Sequence, residues 1–399
     1  MPVRILMASQ LSEAVMDVAS EILPPGYELV VAEFDSSEFA AASRNAEYYI
    51  GSPRFQLGPE FYRAAPRLKL VQLFSAGYDR LDVEAARQAG VPICNNGGSN
   101  SVAVAEHALL LMLAVSRRLV WQHENVVAGR WRGNDFSSVM LYELEDKMLG
   151  VIGLGNIGKK VARLAQAFHM RVQYYDVARL SGDAEDALGV RFALFPELLR
   201  SSDIVTLHVP LDASTHNLIG ARELGLMKPT AILINTCRGP VVDEEALYDA
   251  LISERIHGAG LDVMVEEPPA PEHKLFALPN IILTPHLAGP SWENWKKAFR
   301  NSFDNIERVA RDEKTALDHP RAAGLTWQVS ALGLPGSGTP SAAISLRARF
   351  AASCRPNSSM TTVIPSRPPY SWSRNSSTAP RWFPSPVSYN TRRSLNSFS

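Results

Sequence analysis

The fold of this chain is decided by the stretch LGVIGLGNIG, which spans residues 149–158. A short apolar run ends there in the pattern G-x-G-x-x-G, and an amphipathic segment with helical spacing follows over Lys159–His169. A second apolar run, Met170–Tyr175, stops at Asp176, eighteen residues beyond the last glycine. This order of strand, tight turn, helix, strand and acid is the context in which the glycine pattern indicates dinucleotide binding.

The glycines have separate tasks in such a turn. The first permits the tight turn, the second allows the backbone to approach a pyrophosphate, and the third lets the helix pack on the strand. Free N–H groups at the start of the helix then face the phosphates at the positive end of its dipole. The predicted phosphate-binding residues are Gly153, Gly155, Asn156, Ile157 and Gly158. The alternative is a tight turn that binds no ligand.

The acid after the second strand predicts which cofactor binds. Asp176 would accept hydrogen bonds from both hydroxyls of the adenosine ribose and would repel a 2′-phosphate. The predicted cofactor is therefore NAD rather than NADP.

Composition limits the possible partners and compartments. At 399 residues the chain is long enough for two or three domains, and its net charge of −1 provides no field to recruit nucleic acid or an anionic membrane. Its three cysteines are too few and too scattered for a disulfide framework or a metal site. The apolar runs are too short for a signal peptide or for a membrane span of roughly 20 residues. We expect a cytoplasmic protein without metal, nucleic acid or membrane partners.

Strand-like and helix-like segments alternate along two parts of the chain. The alternation before residue 98 predicts parallel βαβ units of an open, flavodoxin-like sheet. A second alternation from Lys147 predicts the doubly wound Rossmann sheet of a cofactor domain. One long helix, running from Ser101 toward Val127, is expected to connect the two domains.

The predicted fold class is α/β, with two doubly wound parallel-sheet domains. Helical spacing returns over Ser291–Asp312, and we expect this segment to pack back on the first domain. The predicted domains are a substrate-binding catalytic domain of residues 1–98 plus 290–314 and a Rossmann NAD-binding domain of residues 99–289.

Residues 315–399 differ in composition from the rest of the chain. They contain nine arginines, no lysine, no glutamate and a single acid, Asp318, with abundant serine and proline. Such a segment has too little apolar content to offset its ordering entropy, so we expect it to be disordered. One hypothesis is an out-of-frame extension, and the other is an arginine-bearing arm that docks on an acidic partner.

Charged or titratable side chains follow three predicted strands downstream of the glycine turn. Arg238 offers a planar fork that suits a substrate carboxylate. Glu266 and Glu267 precede a proline turn, and His286 stands between a strand and a turn of small residues. Taken singly, each has a structural alternative: an ion-paired arginine, a solvated acidic turn or a hydrogen-bonded histidine.

These side chains are expected to converge, because ligands of such sheets bind in the crevice at the carboxyl ends of the strands. A carboxylate beside an imidazole favours the protonated ring and suits it to proton transfer near neutral pH. The set fits interconversion of a 2-hydroxy acid and a 2-keto acid, in which hydride moves to or from C2. His286 would handle the oxygen proton, while Arg238 would hold the carboxylate and polarise the carbonyl.

Over residues 1–312 the chain resembles the D-isomer-specific 2-hydroxyacid dehydrogenase family. Beside the glycine pattern with its acid, the resemblance rests on NTCRGPVVDE at 235–244, GLDVMVEEP at 260–268 and TPHLAG at 284–289. It implies that Arg238 binds the substrate carboxylate and that His286 is the acid/base. Glu267, directly before the proline, is implied to orient the histidine, whereas Glu266 is out of register.

The resemblance also implies further contacts and an assembly. The substrate carboxylate would be gripped by backbone amides of the loop that contains Ser75, Ala76 and Gly77. The additional cofactor-binding positions would be His208, Pro210, Thr236, Cys237, Asp262 and Gly289. Such proteins are usually homodimers through the helix at the domain interface, which begins here near Asn100.

The identity of the substrate stays open. Arg54 is either a contact for a phosphorylated substrate, as a D-3-phosphoglycerate dehydrogenase requires, or a solvated loop arginine. Glu267 stands where the family's formate branch has glutamine, and Ala76 near where its phosphite branch has lysine, so both branches are disfavoured. Glyoxylate, hydroxypyruvate and bulkier 2-keto acids remain. An alternative of another class is an NAD(H)-sensing, corepressor-like binding protein, which would keep the same residues.

Overall fold

The computed structural model describes residues 2–8, 11–131 and 139–313. The predicted disordered tail of residues 315–399 lies outside this part of the chain. Two parallel sheets with helices around them make up the described fold. No helix in these ranges is both long enough and apolar enough to cross a membrane.

The first sheet has five parallel strands in the order β2-β1-β3-β4-β5, the flavodoxin-like order. Its strands are β1 (Val3–Ala8), β2 (Tyr27–Ala32), β3 (Tyr48–Gly51), β4 (Leu70–Leu73) and β5 (Ile93–Cys94). Its crossover helices are α1 (Glu13–Ile22), α2 (Ser37–Ser43), α3 (Pro59–Ala64) and α4 (Val83–Ala89). The interior strands β3 and β4 are buried at every position, because helices cover both faces of the sheet.

The second sheet has seven parallel strands in the order β12-β11-β10-β9-β6-β7-β8. Its strands are β6 (Met148–Ile152), β7 (Arg171–Tyr175), β8 (Val190–Phe192), β9 (Ile204–Leu207), β10 (Ile232–Asn235), β11 (Gly258–Leu261) and β12 (Ile281–Leu283). Its helices are α7 (Asn156–Ala167), α8 (Gly182–Leu188), α9 (Phe195–Ser201), α10 (Ala221–Leu226) and α11 (Glu244–Ile252). The order reverses between β6 and β9, which is the switch point where doubly wound sheets bind dinucleotides. The predicted α/β fold class with two doubly wound parallel sheets is confirmed.

The connection between the sheets is two helices rather than the single helix expected. α5 spans Ser101–Ser116, α6 spans Leu119–Val127, and Arg118 between them adopts a left-handed conformation with φ of 49°. A left-handed residue ends a helix because it turns the next carbonyl out of the hydrogen-bond ladder. α5 buries ten residues, mainly against α7 and the second sheet, whereas α6 buries none. The chain therefore turns where the packing surface ends.

The last described helix, α12 (Trp292–Ala310), returns to the first sheet. Its Phe299, Phe303 and Ile306 enter the same apolar cluster as Ile5 of β1. Buried polar contacts fix the register, since Asn305 donates to the side chain of Gln72 on β4 at 3.0 Å. This packing supports the division into residues 1–98 plus 290–314 and 99–289, which stays a proposal.

Candidate active site

The glycine turn leaves an open face beside its second glycine. Gly153 has φ of +91°, and a Cβ there would lie 2.5 Å from the carbonyl oxygen of His208. A Cβ on Gly158 would lie 2.2 Å from the carbonyl oxygen of Gly153, so helix and strand pack too closely for a side chain. By contrast, a Cβ on Gly155 would meet no atom within 4 Å. The fold requires the first and third glycines, and the second borders space that a ligand can enter.

The start of α7 and the acid after β7 face this same space. α7 begins at Asn156, and no side chain caps it, so its first N–H groups are available to an anion. Asp176 accepts the N–H of Leu154 at 2.8 Å through one oxygen and the N–H of Ala178 at 2.9 Å through the other. Each oxygen keeps a lone pair, which suits a carboxylate that also binds ribose hydroxyls.

Two buried polar atoms at the ends of β9 and β10 have no hydrogen-bond partner among the described residues: Nδ1 of His208 and Oγ1 of Thr236. The other ring nitrogen of His208 lies 3.0 Å from Oγ1 of Thr206. Burial lowers the pKa of His208 to about 3, so the ring is neutral. Buried polar atoms are rarely unpaired in folded proteins. These orphans, the open glycine and the uncapped helix together fit a bound dinucleotide.

Asp262 organises the loop that carries the candidate histidine. Its side chain is 1% exposed and accepts Oγ1 of Thr284 at 2.6 Å and the N–H groups of Leu287 and Ala288 at 3.0 and 2.8 Å. Nε2 of His107, on α5, lies 2.9 Å from the same threonine hydroxyl. Both oxygens of Asp262 thus accept hydrogen bonds from this loop. The contact of Asp262 with a cofactor stays a prediction.

The other predicted cofactor positions lie around the same edge of the sheet. Burial raises the pKa of the Cys237 thiol to about 11, so this thiol stays protonated at neutral pH. Pro210 is exposed, and its carbonyl accepts the hydroxyl of Thr215 at 2.7 Å. Gly289 packs against Asn100, since a Cβ on it would lie 3.0 Å from the Asn100 amide nitrogen. Their contacts with a cofactor remain predictions.

Arg238 reaches across from the second sheet to the loop after β4. Its Nε donates to Asp79 at 2.8 Å, and one terminal nitrogen donates to the carbonyl of Cys237 at 2.6 Å. The other terminal nitrogen lies against Gly77, where a Cβ would come within 1.3 Å of it. The guanidinium therefore touches the loop that was predicted to grip the substrate carboxylate.

The same loop presents unsatisfied backbone donors. The carbonyl of Ala76 accepts the side chain of Asn95 at 2.7 Å, and the carbonyl of Gly77 accepts the hydroxyl of Ser75 at 2.6 Å. The N–H groups of Ala76 and Gly77 meet no acceptor in the part of the chain that the structure describes. Two free N–H groups beside an arginine form a good receptor for a carboxylate.

His286 and Glu267 form a hydrogen-bonded pair. Nδ1 of His286 lies 3.0 and 2.9 Å from the two oxygens of Glu267, and one of these oxygens also accepts the N–H of Met264 at 3.2 Å. Partial burial by itself would raise the pKa of Glu267. Hydrogen bonds from His286 and Met264, with the charges of His286 and Arg80, have a larger opposite effect, so the pKa of Glu267 lies below its usual value. An ionised carboxylate only accepts, so Nδ1 carries a proton and Nε2 is left to exchange one.

The backbone at His286 is held in an unusual conformation. Its φ is 56°, in the left-handed region, and its N–H donates to the carbonyl of Asp262 at 2.7 Å. The imidazole remains 45% exposed toward solvent. Left-handed residues other than glycine persist where surrounding contacts impose them, often at functional sites. Here that conformation accompanies the contact between the imidazole and Glu267.

Two charged side chains of the site were not predicted from the sequence. Asp79 binds Arg238, and the adjacent Arg80 donates to Glu267 at 3.2 Å. The available signal was a pair of opposite charges that begins two residues after the glycine of the carboxylate-gripping loop. Arg54, one of whose two predicted roles was to contact a phosphorylated substrate, is exposed. Its guanidinium carbon lies 4.8 Å from the centre of the Phe55 ring. Its contact with a substrate phosphate remains a prediction.

Residues 109–288 match the family described as D-isomer specific 2-hydroxyacid dehydrogenase, NAD binding domain. The chain is 41% identical over 255 residues to a glyoxylate reductase of Korarchaeum cryptofilum, which covers 64% of this chain and 76% of the relative. It is 39% identical over 234 residues to a D-3-phosphoglycerate dehydrogenase of Archaeoglobus fulgidus, over 59% of this chain and 44% of the relative. A solved glyoxylate reductase from Paecilomyes thermophila superposes with a TM-score of 0.68 at 29% identity, over 78% of this chain and 97% of that one.

These matches confirm the resemblance found in the sequence motifs, and they extend it to the fold. The glycine turn, the arginine at the end of β10 and the histidine after β12 all lie inside the matched residues. The chain belongs to the D-isomer-specific 2-hydroxyacid dehydrogenase family and is an NAD(P)-dependent oxidoreductase of 2-hydroxy acids.

Proposed function

We propose that this enzyme reduces a small, unphosphorylated 2-keto acid, with glyoxylate and hydroxypyruvate as the leading substrates, and that NADH is the reductant. The observation that carries the proposal is the contact of Arg238 with the Gly77 loop, together with the hydrogen-bonded His286–Glu267 pair beyond the carboxyl ends of the neighbouring strands. The glyoxylate reductases among the relatives support the choice of a small substrate.

The chain's own residues would perform three tasks. Arg238 and the free N–H groups of Ala76 and Gly77 bind the substrate carboxylate and so place the neighbouring carbonyl. When bound, NADH supplies the hydride for C2. Nε2 of His286 donates a proton to the carbonyl oxygen, and Glu267 stabilises the protonated ring through Nδ1. Arg238 further stabilises negative charge that develops on that oxygen.

The proposal is tested by NADH consumption of the full chain with glyoxylate, hydroxypyruvate, phosphohydroxypyruvate, pyruvate and a branched 2-keto acid. In the described site, Arg238 and the N–H groups of Ala76 and Gly77 form one receptor for a substrate carboxylate. We therefore expect the highest kcat/KM for glyoxylate or hydroxypyruvate, each of which carries a carboxylate and no phosphate. A preference of tenfold or more for phosphohydroxypyruvate would instead assign the enzyme to the phosphoglycerate branch and place Arg54 in the site. NADH binding without turnover of any substrate would contradict the proposal and favour a sensor.

The preference for NAD over NADP is proposed to depend on Asp176. Replacing Asp176 with alanine removes a carboxylate that would lie beside a 2′-phosphate, and a close charge pair is worth about 1–4 kcal/mol. We therefore expect the ratio of kcat/KM for NADPH to that for NADH to rise by about tenfold or more. Asp183→Ala, an exposed acid of the neighbouring helix α8, is the matched control. An unchanged ratio in the Asp176 variant would remove this residue from cofactor selection.

We further propose that the enzyme is a cytoplasmic homodimer that uses α6 and its flanks as the interface. α6 buries no residue, and it exposes an apolar group that continues beyond its end. The exposed members of this group are Leu119, Val120, Trp121, Val126, Val127, Trp131, Met140 and Leu141. Such patches mark association surfaces. A sedimentation mass of one chain would contradict the dimer. Cys94 and Cys237 form no disulfide within the described ranges, which fits a reducing compartment.

A further inference from the structure

Two adjacent residues of opposite charge reach from the first sheet to two oppositely charged residues of the second. Asp79 accepts Nε of Arg238 at 2.8 Å, and Arg80 donates to Oε2 of Glu267 at 3.2 Å. The partners are separated by 159 and 187 residues along the chain. The loop after β4 thus binds both the carboxylate-binding arginine and the partner of the candidate acid/base.

The contact of Arg80 completes the hydrogen bonding of Glu267. Each oxygen of Glu267 lies within 3.0 Å of Nδ1 of His286, and each has one further donor. For Oε1 that donor is the N–H of Met264, three residues away on the same loop. For Oε2 the further donor is Arg80. Within the described ranges, no other residue from the strands, helices and loops of the first sheet donates a hydrogen bond to Glu267.

We propose that Arg80 is a positioning residue for the reaction, whose guanidinium holds Glu267 in the orientation that presents His286 to the substrate. The proposal rests on the proposed roles of Glu267 and His286. The proposed effect of Arg80 is exerted through the carboxylate of Glu267, which it contacts. Because it extends from the carboxylate-gripping loop, it ties the orientation of the acid/base to the position of the loop that holds the substrate.

The charge of Arg80 has a consequence for pH dependence. Glu267 faces the imidazole of His286, the guanidinium of Arg80 and the N–H of Met264. The adjacent Glu266 is exposed, while Arg238 pairs with Asp79 and His273 with Glu244. Loss of Arg80 removes one cation that favours ionised Glu267, so Glu267 becomes protonated at a higher pH. The acid side of the activity profile should then move upward in pH.

The experiment compares Arg80→Gln with Arg80→Lys in the full-length enzyme, with glyoxylate and NADH as the substrates. For Arg80→Gln we expect kcat to fall by about five- to tenfold with little change in KM, as for coupled neighbours in one network. We expect the midpoint of the acid limb of kcat to rise by roughly 0.2–0.7 pH unit, which is the pKa change that corresponds to losing a partly exposed ion pair. Arg80→Lys keeps the charge and should restore the acid limb and most of kcat.

Two controls separate positioning from general stability. Arg87→Gln removes an exposed guanidinium of α4 that pairs with Glu84 and should leave kcat and the acid limb unchanged. In a Glu267→Gln background, Arg80→Gln should have no further effect on kcat. An unmoved acid limb and unchanged kcat in Arg80→Gln would overturn the proposal, as would equal losses in the Gln and Lys variants. If instead the His286 variant described below stayed active, the proposed function itself would fail.

Discussion

Replacing His286 with alanine is expected to lower kcat for keto-acid reduction by about 10²–10⁴-fold, the range for loss of a general acid/base. The imidazole is the exposed end of a pair in which Nδ1–H donates a hydrogen bond to Glu267, so Nε2 is the group available to the carbonyl oxygen. NADH binding should persist, because the glycine turn and Asp176 belong to a separate part of the sheet. The measurements are kcat by NADH consumption and NADH affinity by fluorescence titration.

The backbone of His286 calls for a second variant and a matched control. Alanine is strained at a φ of 56°, whereas asparagine tolerates this region, so His286→Asn should lose activity without loss of thermal stability. His169 offers a close control, because it has φ of 57° and also pairs with a glutamate, Glu145, at 3.3 Å. It precedes β7 and so lies at the amino ends of the strands, whereas the candidate site lies at their carboxyl ends. Normal turnover in both His286 variants would show that another group handles the proton.

Gly77→Ala is expected to lower kcat/KM for the keto acid by about 10²-fold, while the protein stays folded. A Cβ at this position would come within 1.3 Å of a terminal nitrogen of Arg238, so the guanidinium must move away from the carboxylate-binding loop. A displacement of about 1 Å of a binding group is enough for a loss of that size. The obstacle is the end of a flexible side chain, so the cost falls on substrate binding rather than on the free energy of unfolding.

The interpretation of the Gly77 variant depends on Arg238, which a double variant can test. If the added methyl acts by displacing the guanidinium, Gly77→Ala combined with Arg238→Gln should be no worse than Arg238→Gln alone. Gly225→Ala is the matched control, because a Cβ there would meet no atom within 4 Å. Additive losses in the double variant, or full activity of Gly77→Ala, would show that the contact between Arg238 and Gly77 does not position the carboxylate receptor.

Much of the fold could be predicted from local patterns, and the exceptions are short or non-periodic elements. The bounds of β3 and β4 follow from mainly apolar runs, interrupted in β4 by Gln72, because strands covered on both faces carry near-continuous hydrophobic stretches. α2 (Ser37–Ser43) and β8 (Val190–Phe192) do not follow from local spacing, since seven and three residues are too few for a clear period. The break at Arg118 carries no glycine or proline and depends on where the packing surface of α5 ends.

For the site, the sequence by itself determined the chemical inventory: a glycine turn with its acid, then Arg238, Glu267 and His286 after successive strands. These follow from the sequence because each is attached to the carboxyl end of a strand, and parallel strands bring those ends to one edge. Only the tertiary structure decided the partners of these residues: Arg238 with Asp79 and Gly77, and Glu267 with Arg80. Those contacts join loops more than 150 residues apart. No local spacing encodes these contacts, because they depend on how the loop after β4 of the first sheet meets the loops of the second sheet.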